Sequence, residues 1–263
     1  MHCQAQFCYN GGMKAWFENP AFWKSLYPVM FPDARFAAAD AELDGVLALA
    51  DRKIKTVLDL CCGPGRHSVA LAKRGLRVTG VDRTPFLLNM AKRRAQAARV
   101  KVEWVLKDMR AFVRPKAFDL ALSLFTSFGY FDDKADDLTV LRNLHASLAP
   151  GGVLVLDVAS KEWVAKVFQP TVSCELPDGS LLVQRHEIID DWSRIRNEWI
   201  LIRKGRVQRF PFQHTIYSGI ELKDRLLVAG FDTVTLYGGL DGSPFGINAK
   251  RLVAVARKQK NAN

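Results

Sequence analysis

"VLDLCCGPGRHS", residues 57–68, holds an apolar run, a turn with two glycines and a proline, and the start of a segment with helical spacing. Strand, glycine-rich turn, helix is the order in which an open α/β sheet presents a nucleotide-like ligand site, at the carboxyl end of its first strand. Cys61 and Cys62 inside the turn raise the alternative of a redox or metal centre. Spacing speaks against it. The chain has five cysteines, an odd number without the spacing of a disulfide framework, Cys174 stands alone, and the five histidines are scattered. The expectation is reduced thiols and no metal, with the chemistry of the loop carried by Asp59, Gly63, Gly65 and the backbone between them. Cys62 is expected to pack beneath the loop.

Outward from this turn the apolar pattern alternates in period. "KTVLDL" (55–60) reads as a strand and "GRHSVALAKRG" (65–75) as a helix closed by Gly75. "LRVTGVD" (76–82) is a second strand, and "TPFLLNMAKRRAQAA" (84–98) a helix opened by Thr84 with Pro85 at its first position. "VKVEWVLKD" (100–108) and "FDLALSLF" (118–125) follow as strands. "DDKADDLTVLRNLHASLAPGG" (132–152) reads as a helix ending at a Pro-Gly-Gly turn, then "VLVLDVAS" (153–160) as a strand. Strands alternating with helices predict an α/β fold, a doubly wound and mostly parallel sheet with helices on both faces.

Beyond residue 168 the pattern changes to strands separated by turns at "PDGS", "DDWS" and "RKGR". This predicts an antiparallel β insertion after the fifth strand. The chain then returns to a helix (218–230), a strand (231–239) and a last strand (251–258) that enters the sheet antiparallel. The expected division is a flexible extension and helical lid over 1–50, a Rossmann-like core over 51–168, the insertion over 169–217, and the C-terminal part of the core sheet over 218–263. The insertion would cover the substrate or make a homodimer contact.

At 263 residues with 49% hydrophobic composition the chain can bury a large core. No apolar run approaches the roughly 18 to 20 residues of a membrane helix. The start, "MHCQAQFCYNGG", lacks the basic and greasy regions of a signal peptide, so a cytoplasmic location is expected, with the first dozen residues, Cys3 and Cys8 among them, as a flexible extension. The net charge is +11, and 17 of the 38 Lys and Arg fall between Arg52 and Lys116. "AKRRAQAARVK" (91–101) reads either as a phosphate contact or as the solvated outer face of a helix.

Charge decides what the turn binds. Gly63 and Gly65 with Asp82 about 20 residues further on pass for a dinucleotide fingerprint. Asp59, however, closes the first strand where a pyrophosphate would meet a like charge, while an ammonium group would be welcomed. Asp108, after the third strand in "KDMR", can accept from an adenine amino group. The antiparallel last strand adds a third departure.

On these residues, Thr56 to Ser160 resembles the core of the class I S-adenosylmethionine-dependent methyltransferases. "VLDLCCGPGRHS" matches the first motif, Asp82 the ribose-binding acid, "KDMR" the adenine-side motif, and "FDLALSLFTSFGYF" the fourth strand and its loop. The chain order with its insertion is similar to the small-molecule branch that includes deoxysugar amine N-methyltransferases. The resemblance implies S-adenosyl-L-methionine as cofactor and S-adenosyl-L-homocysteine as product. It places Asp59 and the Cys61–Gly65 backbone at the amino-acid end, Asp82 and Arg83 at the ribose, and Asp108 and Met109 at the adenine. Leu124 borders the cofactor beyond the fourth strand. Tyr27 and Arg35 belong to a lid, with Arg35 facing the cofactor carboxylate, and Arg66 with His67 lies at the pocket mouth. One departure stands out: Cys61 occupies the place of the loop's first glycine.

Methyl transfer is a direct in-line displacement in which a dedicated base is optional: for an amine it need only keep the nucleophile neutral, and for a hydroxyl or phenol a His or Asp within reach helps. Tyr130 in the aromatic loop "FTSFGYF", His214 and His186 in the insertion are the candidates on the acceptor side, with Phe125, Phe128 and Tyr217 beside them, while His145 reads as helix packing. The expected activity is methyl transfer to nitrogen or oxygen of a small molecule. RNA as acceptor, using the basic 52–116 segment, is one alternative; a non-catalytic cofactor-binding scaffold is the other.

Overall fold

A computed structural model describes residues 15–260; the extension expected over residues 1–12 lies outside them. A short 3-10 turn, Trp16–Glu18, leads into α1 (Pro20–Met30), where the Asn19 side chain accepts from the Ala21 N–H and Pro20 opens the first turn. α2 (Asp33–Ala37) and α3 (Ala39–Ala50) follow. The core then runs β1 (Thr56–Leu60), α4 (Arg66–Lys73), β2 (Arg77–Asp82), α5 (Pro85–Ala97), β3 (Glu103–Leu106), β4 (Phe118–Ser123), α6 (Lys134–Ser147), β5 (Leu148–Val158) and α7 (Lys161–Val167). After the insertion come α8 (Gly219–Val228), β10 (Thr233–Tyr237) and β11 (Leu252–Arg257).

Seven strands form one sheet in the order β10-β11-β5-β4-β1-β2-β3. β1 to β5 are parallel, and β11 pairs antiparallel with both β5 and β10. Alternate residues of the central strands serve opposite faces, and both faces are dry. Leu58, Leu154 and Leu156 pack with Leu144 of α6 and Leu222 and Leu226 of α8; Val57, Val153 and Val155 pack with Leu43 and Val46 of α3 and Leu71 of α4. This is why these strands read as continuous apolar runs rather than as an apolar-polar alternation.

One local expectation is corrected. Pro150, Gly151 and Gly152 do not form a turn after α6: β5 begins at Leu148 and passes through them. Leu148 faces Phe118 while Val153 faces Leu120, so the extra residues are taken up as a bulge and the ladder resumes beyond it. The stretch after Ser160 is helical, with the Ser160 hydroxyl accepting from the Trp163 N–H at 3.1 Å, a cap that the apolar pattern did not display.

The insertion is a separate four-stranded antiparallel sheet, β6 (Thr171–Glu175), β7 (Leu181–Ile189), β8 (Arg194–Arg203) and β9 (Arg206–Thr215). Its inner face sets Leu182, Leu201, Phe210 and Phe212 against Phe22 and Leu26 of α1. Its outer face carries ion pairs, Arg196 with Glu187 and both Arg185 and Arg209 with Glu198. Among the described residues no helix is long and apolar enough to cross a membrane, and no cluster of three His, Cys, Asp or Glu is placed to hold a metal.

One buried acid makes stability depend on pH. Asp137 of α6 is fully buried; one oxygen accepts from the Tyr217 hydroxyl at 2.6 Å and the other has no partner. Burial raises its pKa to about 6. The folded chain therefore holds a proton that the unfolded chain releases near pH 4, and stability falls as pH rises from about 4 to about 6, by roughly 3 kcal/mol at most. Asp137→Asn keeps an acceptor for Tyr217 and removes the titration. Urea unfolding at pH 4.5 and 7 should show the variant losing clearly less stability between them than the wild-type chain; equal losses would disprove the assignment.

Candidate functional site

The carboxyl ends of β1, β2 and β4 meet at one edge of the sheet, and the loop 61–65 crosses there. Asp59 is 3% exposed, and burial raises its pKa; the Ser68 hydroxyl from the first turn of α4 donates to it at 2.5 Å. Asp82 at the end of β2 ties the loop down, accepting from the Gly63 N–H at 2.9 Å and the Thr84 N–H at 2.8 Å. Gly65 caps α4 at φ 76° with Ala91 and Trp104 directly beside it, so it lies beneath the ligand space rather than lining it. Cys61, in the place of a glycine, adopts φ 61°. The left-handed conformation costs a residue with a Cβ about 1–2 kcal/mol.

The two thiols are poor nucleophiles. Burial, with Asp82, Asp108 and Asp59 around it, pushes the Cys61 pKa well up, and burial does the same for Cys62. Cys61 Sγ lies 3.5 Å from Met109 Sδ, a soft contact rather than a redox pair. Iodoacetamide at pH 7.5 should label the exposed Cys174 well before either member of the pair; peptide mapping that finds Cys61 labelled first would contradict this.

The adenine-side acid differs from expectation. Asp108 already accepts four hydrogen bonds, from the Arg110 backbone N–H, Arg110 Nε and Nη2, and Arg83 Nη1. A carboxylate has about four acceptor positions, so an adenine amino group finds none of them free. These donors hold its pKa below the usual range although burial opposes them. Arg83 in turn joins Glu18 and lies 4.8 Å over the Phe17 ring, which pins the N-terminal turn across the site.

These groups line a cavity of about 570 Å³ that also receives Arg35, Arg66, His67, Met109, Leu124 and Tyr130. Its size is that of an ordinary small-ligand pocket. Arg35 and Arg66 lie 4.0 and 5.2 Å over the Phe125 ring, and Arg251 comes within 5.6 Å of it. Burial and the two neighbouring guanidiniums lower the Arg35 pKa, and among the described residues its guanidinium has no carboxylate partner. Arg66 and His67 are held from below by Glu42 of α3, at 2.5 and 2.7 Å.

Tyr27 does not line the cavity. Its hydroxyl accepts from Arg94 at 2.7 Å and its ring packs on Phe31 and Phe86, so it braces α1 against α5. His214 and His186 do not line it either. His214 packs behind the Tyr130 ring at 5.0 Å, and burial lowers its pKa to about 4; His186 meets the Asn197 side chain at 2.8 Å. Tyr217 is committed to Asp137. The cavity also gains residues that pattern reading missed: Trp16, Phe17 and Trp23 before and within α1, and Gln184 and Trp199 from the insertion. The density of aromatics in "AWFENPAFW" (15–23) was a usable signal for the first three.

Comparisons with known proteins converge on one chemistry. Residues 57–152 match the methyltransferase domain family. A putative methyltransferase, YqeM of Bacillus subtilis, is 26% identical over 78% of this chain and 84% of its own. Among solved structures, an S-adenosylmethionine-dependent methyltransferase from Clostridium acetobutylicum superposes with a TM-score of 0.76 at 14% identity, covering 90% of this chain and 98% of that one. CalS10, an amino pentose methyltransferase from Micromonospora echinaspora solved with S-adenosylmethionine bound, gives 0.67 at 23% identity over 90% and 96% of the two chains. With a methyltransferase domain over residues 57–152 placed on this sheet and this loop, the chain is a methyltransferase with the fold of S-adenosylmethionine-dependent enzymes.

Proposed function

We propose that the enzyme methylates a nitrogen or oxygen of a small molecule by direct in-line displacement. The observation that carries this reading is a cavity of about 570 Å³ in which acidic strand ends and an aromatic wall face each other. The residues fit the cofactor. Asp59 is a buried carboxylate with a single side-chain donor, a place suited to an ammonium group. A Cβ on Gly63 would stand 3.6 Å from the Phe31 ring, in the gap that the loop leaves open. S-adenosylmethionine supplies a methyl group on a cationic sulfur. Asp59 and the 61–64 backbone would hold the amino-acid end, Arg35 the carboxylate, and Asp82 the ribose hydroxyls with its remaining acceptor positions. Since Asp108 is saturated, Met109 and neighbouring backbone serve the adenine, and Arg83 acts by holding the lid turn. Tyr130 faces the acceptor, and His214, neutral at pH 7, supports the ring from behind. Holding acceptor and methyl group in line supplies on the order of 7–11 kcal/mol in the best cases; the S–CH3 electron pair stays on the departing sulfur, and the proton of the acceptor passes to solvent.

RNA is the weaker acceptor. Six arginines of the basic segment, Arg52, Arg66, Arg74, Arg83, Arg110 and Arg114, are each paired to a carboxylate of the chain itself. The ion-paired outer face of the insertion supports a substrate cover rather than a homodimer contact. The free thiols of Cys61, Cys62 and Cys174 agree with a cytoplasmic location. Incubation with methyl-labelled cofactor and a cell extract tests the reading: label is expected in the low-molecular-weight fraction. Label in RNA would overturn it, and no transfer despite tight cofactor binding would restore the scaffold alternative.

A further inference from the structure

The wall opposite the strand ends carries information about the acceptor, and the inference drawn from it rests on the methyl-transfer reading above. The charged side chains that line the cavity, such as Asp59, Asp82, Arg83 and Asp108, come from the core loops and from Arg35; neither α1 nor the insertion contributes one. Their share of the lining is Trp23, Val29, Met30, Leu182 and Trp199, with Cys174 and Gln184, and Trp16 packs 5.0 Å from Tyr130 to close the group. Among the described residues the Tyr130 hydroxyl and the Gln184 amide make no hydrogen bond with the protein, whereas Ser127 donates to the Leu124 carbonyl and Thr126 is engaged with Arg251.

We infer that the acceptor is an uncharged, flat, largely apolar molecule, a phenol or an aromatic amine, held by the Trp16, Trp23 and Trp199 wall with Tyr130 and Gln184 as its polar contacts. A charged group placed there would lose its hydration without a counter-ion. A cation would in addition share the cavity with the sulfonium of the cofactor, which outweighs what cation–π contact with indole rings returns. The pocket thus differs in chemistry from one built for a protonated sugar amine.

The test uses the full chain saturated with S-adenosylhomocysteine and four probes in calorimetry: 2-naphthol, 2-naphthoate, 2-naphthylmethylammonium and glucosamine. 2-Naphthol should bind at least tenfold tighter than each of the others. Trp199→Ala should weaken it at least tenfold with cofactor affinity unchanged and Trp199→Phe restoring most of it, and Gln184→Leu should weaken it several-fold. Equal binding of the charged probes, or preference for glucosamine, would overturn the inference while leaving methyl transfer intact. Failure of S-adenosylhomocysteine itself to bind would sink the underlying reading instead.

Discussion

Asp82→Ala should lower affinity for S-adenosylhomocysteine about 100-fold in calorimetry, with the chain still folded by circular dichroism. Two hydroxyls bonded to a carboxylate are each worth roughly 1.5–3 kcal/mol, and loss of the pair lies near the lower end because water replaces part of it. The variant also frees the Gly63 N–H, so the loop 61–65 loses a fastening at the moment that it loses a ligand group. Folding is affected less: burial penalises the Asp82 carboxylate, raising its pKa, and removing that penalty offsets the lost backbone bonds. Unchanged affinity would refute the placement of the ribose.

The largest stability effect should come from Gly65→Ala, about 2–5 kcal/mol in urea unfolding. A Cβ there would stand 2.8 Å from both Ala91 Cβ and the Trp104 ring, at φ 76°, with α5 and β3 fixed by the core behind them. Left-handed strain contributes about 1–2 kcal/mol. Overpacking adds about 1–3 kcal/mol. Gly75→Ala is the control. Its φ is 82°, yet nothing lies within 4 Å of the added carbon, so only the strain remains. Equal losses in the two variants would mean that helix-to-sheet packing does not limit the loop.

Much of this architecture was legible in residue order because its determinants are local. The runs around Val57, Val78 and Leu154 carry strand character in their own composition, and Gly65 and Asp82 sit where a turn and a strand end require them. Helix α7 was missed since its cap is a single serine, and the strand through Pro150 was missed since a bulge is defined by its partner, not by its own residues. The site divides in the same way. Asp59, Asp82 and the loop could be read from spacing. The saturation of Asp108 depends on Arg83 and Arg110, whose side chains converge only in three dimensions. Tyr27 looked like a lid residue, and only the position of Arg94 shows what occupies its hydroxyl. Trp199 and Gln184 reach the cavity because the insertion folds back over the core, a long-range arrangement that no window of sequence contains.

The place of β11 has a consequence for how the molecule is made. β10 has no neighbour in the sheet other than β11, and β11 is also the partner of β5 along its outer edge, from Leu252 facing Val158 to Arg257 facing Val153. During synthesis the five strands from β5 to β3 can form early, but the β5 edge stays open, with apolar residues on both faces, until translation has passed Arg257. Pairing residues about a hundred positions apart is slow, and an open edge of this kind is a template for other chains. The nascent protein therefore elongates through about a hundred residues, from Val158 to Arg257, with this edge open, and the pairing of β11 is the step that ends the edge's exposure to aggregation and to chaperones.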